Sequence, residues 1–251
     1  MIHISNRILR KTLFLMLAVI GTSSVSAQYY LNLYQKDGSN IKYKTSEIEK
    51  ISITDRVRPN FNAEFVDLGL SVKWASCNLG AMTPTEFGMY YAWGETDTIV
   101  SSSQYKWYDN FTQKYSKYVL TEYYGKMDNK YRLDAEDDVA NVYGGPDWRI
   151  PTDKEVKELV DSCYWTWTYV NGVAGYQVRS PKNGNSIFLP AAGVVWDSIP
   201  QSQGYSGYYL TNTLYTQYNS SFCNNLYFDE LGFYLTNDNR NLGYTVRPVV
   251  Q

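Results

Sequence analysis

Short runs of alternating hydrophobic and polar residues recur along most of this chain, and a period of two predicts half-buried β-strands. Beyond residue 60 the runs are separated by Gly and Asn, which favour turns. The predicted strands of this part cover residues 64–67, 72–76, 89–93, 175–179, 186–189, 207–212, 225–229, 232–236 and 243–249.

Two segments have a helical pattern instead. Thr152 followed by Glu155 is the capping-box signature of a helix start, and apolar residues then recur at i, i+3, i+4 and i+7. These apolar positions are Val156, Leu159, Val160 and Cys163. A second helix is predicted over 134–142, because its acidic first turn suits the helix dipole. Many strands with two helices predict an α+β fold.

Residues 28–55 have the pattern of a small ββαβ-like module. Polar and apolar residues alternate on either side of Asp37-Gly38, which is a turn signal between two strands. A capping-box pair at 46–49 predicts one helical turn, and residues 51–53 alternate again.

Residues 56–63 carry no pattern and are interpreted as a linker, so the main domain covers 64–251. Within it, the polar stretch 96–131 lacks a sustained period. We interpret this stretch as a long ordered loop, and long loops tend to carry function.

Residues 1–27 have the three regions of a cleavable secretory signal in their usual order. Basic residues precede a short apolar run at 13–20, far below the ~20 residues that a bilayer span needs. Small residues then close on Val25-Ser26-Ala27. We therefore expect cleavage before Gln28, with export to the periplasm, the outer surface or the medium and no membrane span in the product.

Removal of this segment changes the chemistry of the chain. The sole histidine, His3, is lost, so catalytic triads and zinc sites that need an imidazole are not expected. Three of the 23 basic residues are lost as well, which leaves 20 against 25 acidic residues. A mildly acidic chain lacks the basic surface that a phosphate backbone requires, so nucleic acid is not an expected partner.

The chain has 25 Tyr and 7 Trp, many of them in two groups that lie mostly outside the predicted elements. Exposed aromatic rings give flat apolar area while polar neighbours make hydrogen bonds, which suits a glycan or a protein surface. The alternative is that these rings cover loops and pack locally. The candidate ligand-binding residues are Tyr105, Trp107 and Tyr108 in the first group and Trp196, Tyr205 and Tyr208 in the second.

A series of motifs resembles the Fibrobacter succinogenes major paralogous domain family over residues 64–250. The motifs that carry the resemblance are EFVDLGLSVKWASCNLGA (64–81), YYAWGE (90–95), DDVA (137–140), WRIPT (148–152), NGNSIFLPAAG (183–193) and VRPV (246–249). Residues 28–55 are similar to a short β module found ahead of such domains in exported proteins of Bacteroidota.

The resemblance implies a C-type-lectin-like fold that is also related to formylglycine-generating enzymes. It implies little about function, because the biochemical role of the family is largely unassigned. The paired C-terminal cysteines of those enzymes are not matched, since Cys223 stands alone in that half of the chain. The Glu-Pro-Asn and Trp-Asn-Asp sequences of calcium-dependent lectins are not found either. With Cys77 and Cys163, Cys223 allows one disulfide or three free thiols.

Five residues of these motifs are interpreted as structural: Trp93, Glu95, Trp148, Arg149 and Arg247. Trp93 lies on a predicted strand and is expected in the core. The two arginines flank regular elements, so we expect bidentate pairs with Glu95 or with the acidic residues at 134–138. The alternative is that they present guanidinium groups to a ligand carboxylate.

Asp134, Glu136, Asp137 and Asp138 offer the carboxylate oxygens that calcium prefers. They lack the alternating ligand spacing of a calcium loop, however, and acidic residues are common in the first turn of a helix. A charged helix start, with one or two carboxylates held by arginines, is the favoured interpretation. No cofactor is expected.

Two tripeptides are similar to the acceptor of the O-glycosylation system found in the same bacteria. They are Asp97-Thr98-Ile99 and Asp197-Ser198-Ile199. Thr98 and Ser198 are therefore candidate modification sites.

The residues favour an exported, non-enzymatic binding module for a glycan or a cell-surface protein. One alternative is a structural protein of the cell envelope that assembles through residues 28–55. The other is a glycoside hydrolase, which needs a pair of carboxylates. The candidates for that pair, by residue type alone, are Glu95, Asp97, Asp229 and Glu230.

Overall fold

A computed structural model describes residues 30–34, 40–47, 63–98, 102–217 and 220–251. The chain divides into two units, Met1–Asp55 and Arg56–Gln251. In the first, strand β1 (Tyr30–Tyr34) pairs antiparallel with β2 (Asn40–Lys44), and a 3-10 turn follows. The first two of the three strands predicted for the small module are thus present.

Several sequence predictions fall on other parts of the chain. The signal segment 1–27, the 37–38 turn, the 51–53 strand and nearly all of the linker 56–63 lie outside the described residues, as does Glu49 of the 46–49 pair.

The second unit is rich in short strands and contains two α-helices among its described residues, so the predicted α+β class is confirmed. Its helices are α1 (Val139–Gly144) and α2 (Asp153–Ser162). Its strands are β3 (Phe65–Val66), β4 (Lys73–Ala75), β5 (Tyr108–Asp109), β6 (Lys114–Tyr115), β7 (Trp148–Arg149), β8 (Tyr164–Val170), β9 (Val173–Arg179), β10 (Ser186–Pro190), β11 (Val194–Trp196), β12 (Ile199–Gln201), β13 (Ser206–Leu214), β14 (Phe222–Asp229), β15 (Gly232–Asn239) and β16 (Val249–Val250).

Two three-stranded sheets, ordered β10-β9-β8 and β13-β14-β15, pack their inner faces against each other. Trp165 of β8 stacks on Phe233 of β15 with 4.4 Å between ring centroids. Tyr176 of β9 meets Phe228 of β14 edge to face at 5.4 Å. Large aromatic rings bury much apolar area in such geometries, so this layer is a main source of stability.

Helix α2 begins as its sequence predicts. The Thr152 hydroxyl accepts from the Glu155 N–H, and the Glu155 side chain accepts from the Thr152 N–H, which completes the capping box. Val156 and Leu159 are buried against the aromatic layer. The cap and the apolar stripe therefore act together to fix this helix.

The predicted helix over 134–142 is divided in two. A 3-10 turn covers Ala135–Asp137, and α1 starts only after Asp138, whose backbone is extended. The buried Asp138 carboxylate accepts from the N–H groups of Ala140, Asn141 and Ile150. Asp138 is thus a helix cap that also ties α1 to the chain leading into α2.

The two arginines of the motifs do not bind the predicted acids. Arg149 forms a bidentate pair with Glu155, at 2.6 and 2.8 Å, because the helix cap brings that carboxylate next to β7. Arg247 is 1% exposed and donates to Asn78 Oδ1 and to the carbonyls of Ala75, Ser76 and Phe188. Both arginines bond to groups of the protein itself, but these groups are not the predicted acids, so the partner assignment was wrong.

Two predicted strands are shorter in the structure. Residues 89–93 contribute one bridge, Tyr91 to Tyr244, and residues 243–249 contribute single bridges before β16. The C-terminal segment runs between several elements instead of pairing along one neighbour, since its successive N–H groups bond to Val195, Tyr91 and Tyr208.

Asp138 provides a test of this arrangement through pH. Burial raises its pKa from 3.8 to about 6, although the three N–H donors act in the opposite direction. The stability that follows from a raised carboxyl pKa is fully present below pH ~4 and lost as the pH rises through 6. The unfolding free energy of the wild type relative to Asp138→Asn should therefore fall by about 1–3 kcal/mol from pH 4 to pH 7.

Urea unfolding at several pH values measures this difference. The exposed Asp147→Asn is the matched control for the loss of one carboxylate. If the unfolding free energy of the wild type relative to Asp138→Asn rose with pH, the N–H donors would affect the pKa of Asp138 more than burial does.

Candidate ligand-binding surface

The first group of candidate aromatic residues belongs to the core. Tyr105 is 3% exposed and its hydroxyl donates to the Trp93 carbonyl at 2.6 Å. Trp107 is half-buried, and its indole N–H donates to the Gly94 carbonyl. Tyr108 is also half-buried, and its ring centroid lies 4.8 Å from that of Tyr115. Tyr105 is therefore unavailable to a ligand, which corrects its assignment, and the other two rings are largely committed to the fold.

A buried arginine explains this packing. Arg240 is 0% exposed, and its guanidinium carbon lies 3.7 Å from the ring centroid of Tyr115 and 5.6 Å from that of Tyr105. Its terminal nitrogens donate to the carbonyls of Tyr118 and Lys117. Aromatic faces stabilise a desolvated cation, so the rings of Tyr105 and Tyr115 enclose Arg240 instead of facing solvent.

The acidic cluster is neutralised by lysines. Lys117 Nζ lies 2.7 Å from Asp134, 2.6 Å from Asp137 and 3.4 Å from Glu136. Hydrogen bonds from Lys117 and Lys130 lower the pKa of Asp134. An ammonium group thus occupies the position between carboxylates that a metal ion would take. The expected arginine partners are lysines, and Asp138 acts separately as a cap.

In the second group of candidate residues, Trp196 and Tyr205 are exposed and Tyr208 is half-buried. Trp196 and Ile199 face each other across the β11–β12 hairpin and are 54% and 63% exposed. Tyr205 is 78% exposed just before β13. A bridge between Gly193 and Gly207 places this hairpin beside the start of β13.

Tyr208 leads to a surface that sequence reasoning missed. It pairs with Tyr227 across β13–β14, and Tyr227 pairs with Tyr234 across β14–β15. The ring centroids are 4.9 and 5.2 Å apart. We call these three residues the tyrosine face. It lies on the side of the sheet opposite Tyr209 and Phe228, since alternate residues of a strand point to opposite faces.

Carboxylates flank the tyrosine face. The Tyr227 hydroxyl donates to Asp229 at 2.8 Å, and Asp229 also accepts from two N–H groups of the β14–β15 turn. Burial raises the pKa of Tyr208, with smaller contributions from Asp238, Tyr234 and Asp229. The face therefore combines aromatic rings with fixed hydrogen-bond acceptors and neutral phenols.

A polar cleft of about 650 Å³ lies elsewhere, at the start of α2. Its charged groups are largely paired within the protein, because Arg149 binds Glu155 and Glu158 accepts from the Ser71 N–H. The exposed Arg132 and Lys154 complete its basic lining.

None of the four hydrolase candidates lines this cleft. Glu95 accepts from the Lys106 N–H at 2.6 Å, and Asp229 holds the β14–β15 turn. Asp97 belongs to the loop of Glu95, and Glu230 follows Asp229 directly.

The cysteines and the candidate modification sites are also located. Cys77, Cys163 and Cys223 are free, and burial raises the pKa of Cys223 and of Cys163.

Ser198 lies at the exposed tip of the β11–β12 hairpin, where Asp197 and Ser198 both have positive φ. Thr98 is half-exposed in a loop.

None of the protein-family models, curated proteins or solved structures compared with this chain matches it. Among the described residues, no helix combines the length and the apolar character needed to cross a bilayer.

Lys117 provides a test of the acidic cluster. Lys117→Met should lower the unfolding free energy by about 1–3 kcal/mol, because it removes the donor that the buried Asp137 shares with the half-buried Asp134. Millimolar calcium should restore part of that stability in the variant and leave the wild type unchanged.

Urea unfolding with calcium or with chelator makes the comparison. Lys157→Met is the matched control, since it removes a lysine from an exposed ion pair with Asp161. A wild type that calcium stabilises as strongly as the variant would contradict the role given to Lys117.

Proposed function

We propose that this chain is an exported, non-enzymatic binding module that recognises a glycan on its tyrosine face. The observation that carries the proposal is the row of three tyrosine rings, 4.9 and 5.2 Å apart, on adjacent strands. The proposal includes the C-type-lectin-like fold and membership of the Fibrobacter succinogenes major paralogous domain family, which the sequence motifs support. It does not depend on either.

The chemistry of the face suits a sugar. A pyranose has an apolar face that stacks on an aromatic ring and hydroxyl edges that hydrogen-bond to carboxylates and phenols. Neighbouring strands lie about 4.8 Å apart, so the three rings span about 10 Å and offer room for more than one sugar ring. Asp229, fixed by two turn N–H groups, is a rigid acceptor at the edge of this row.

The exposed hairpin extends the proposed surface. The Gly193–Gly207 bridge brings β11 to the start of β13, one residue before Tyr208. Trp196 is 54% exposed there, and tryptophan is among the residues that dominate binding energies at interfaces. We therefore assign Trp196 and Tyr205 a supporting role next to the tyrosine face.

Recognition on this face would not use calcium. The described cluster of three carboxylates is the one at Asp134, Glu136 and Asp137, and its members bind Lys117. The proposed contacts are instead stacking and hydrogen bonds. Catalysis is not part of the proposal, since Glu95 and Asp229 are held by backbone N–H groups.

Tyr234→Ser tests the proposal. A glycan array with the full exported chain first identifies a ligand, and calorimetry with that ligand follows. An aromatic contact is worth about 0.5–1.5 kcal/mol beyond its buried area, so we expect affinity to fall by about tenfold. Chelator should leave wild-type binding unchanged.

Tyr123→Ser is the matched control, because Tyr123 is 76% exposed in the 96–131 stretch against 55% for Tyr234. Circular dichroism confirms folding of both variants. A blank array with folded protein, or equal affinity of wild type and Tyr234→Ser, would sink the proposal. In the first case an envelope protein becomes the candidate ligand, to be sought by pull-down.

A further inference from the structure

Strand β8 is an open edge of the sheet ordered β10-β9-β8. It pairs with β9 over seven residues in unbroken register, through a two-residue turn at Asn171-Gly172. Within the described parts of the chain, no backbone group outside this hairpin bonds to β8. Its backbone is therefore available along one side.

This edge lacks four features that protect edges in soluble proteins. Lysine, proline, a bulge or a very short strand normally prevents pairing with another chain. The sequence of β8, YWTWTYV, has no charge and no proline, and its pairing with β9 shows no bulge. Tyr164 and Tyr169 are 68% and 67% exposed.

The order of residues in β8 is nearly symmetric about Trp167. Thr166 and Thr168 flank it, and Trp165 and Tyr169 follow on either side. An antiparallel pair of identical strands centred on Trp167 would place Thr opposite Thr and Trp165 opposite Tyr169. These are the cross-strand pairs that stabilise antiparallel sheets.

We propose that two copies of this chain associate through antiparallel pairing of their β8 strands. A two-fold symmetric interface brings each residue type against its symmetry mate, so a charged strand would repel itself and this uncharged one does not. The near symmetry of β8 is the reason to assign the edge to a second copy and not to a strand of another protein.

The backbone geometry supports the same pairing. In an antiparallel hairpin, alternate residues direct both N–H and C=O away from the partner strand. The tight turn at 171–172 pairs Val170 with Val173, so Trp165, Trp167 and Tyr169 direct these groups to the open edge. A second β8 would satisfy them and join two three-stranded sheets into one of six strands.

Paired charges on β8 test this interface. In the proposed register residue 166 of one copy opposes residue 168 of the other. Thr166→Lys with Thr168→Lys would place like charges together twice, and Thr166→Lys with Thr168→Glu would place opposite charges together twice. Both positions lie on the outer face of the hairpin, where Thr166 is exposed and Thr168 half-exposed, so both variants should fold.

Sedimentation velocity of the exported full chain, over a range of concentrations, gives the readout. We expect a concentration-dependent dimer for the wild type, at least about tenfold weaker association for the Lys/Lys variant, and recovery in the Lys/Glu variant. Circular dichroism confirms the fold in each case.

Three results would overturn the proposal: a wild type that stays monomeric at the highest concentration, a dimer unaffected in the Lys/Lys variant, or a Lys/Glu variant that stays monomeric like Lys/Lys. The proposed glycan contacts lie on the sheet β13-β14-β15, which does not contain β8. Loss of glycan binding and loss of dimerisation are therefore separate outcomes.

Discussion

Two arginines near the C-terminus, Arg240 and Arg247, are buried without a carboxylate partner among the described residues. A desolvated guanidinium is costly unless its N–H groups are bonded. Arg247 meets this requirement with three carbonyls and one amide oxygen. Those acceptors come from β4, the loop after it and β10, so these elements can be correctly placed only when the C-terminal segment is in position.

The buried charge of Arg240 also needs partners, and aromatic rings supply them together with two carbonyls. Two carbonyls of the 96–131 stretch accept from it, and the rings of Tyr105 and Tyr115 cover it. A long polar loop thereby acquires a fixed core of its own. The same packing buries Tyr105 and Tyr115, so these two rings are not available to a ligand.

The sequence alone predicted the structure correctly where neighbouring residues determine it. Helix α2 was predicted because its cap and its apolar stripe lie within a dozen residues, and Trp93 was correctly placed in the core. Strand β8 was missed although Trp and Thr alternate along it, because no Gly, Pro or Asn separates it from helix α2. Tyr105 could not be told from Tyr205, since Arg240, the group that Tyr105 covers, is far away in sequence.

For ligand binding, the secondary-structure element that carries an aromatic ring matters as much as the exposure of the ring. The sequence predicts ligand contacts on the long loops, whereas the proposed tyrosine face lies on three hydrogen-bonded strands. A ring on such a strand has its direction fixed before a ligand arrives, so little conformational entropy is lost on binding. Tyr208, Tyr227 and Tyr234 meet this condition together, because their sheet is anchored below by Tyr209 and Phe228. The rigid aromatic layer between the sheets thus supports the tyrosine face that we propose for recognition.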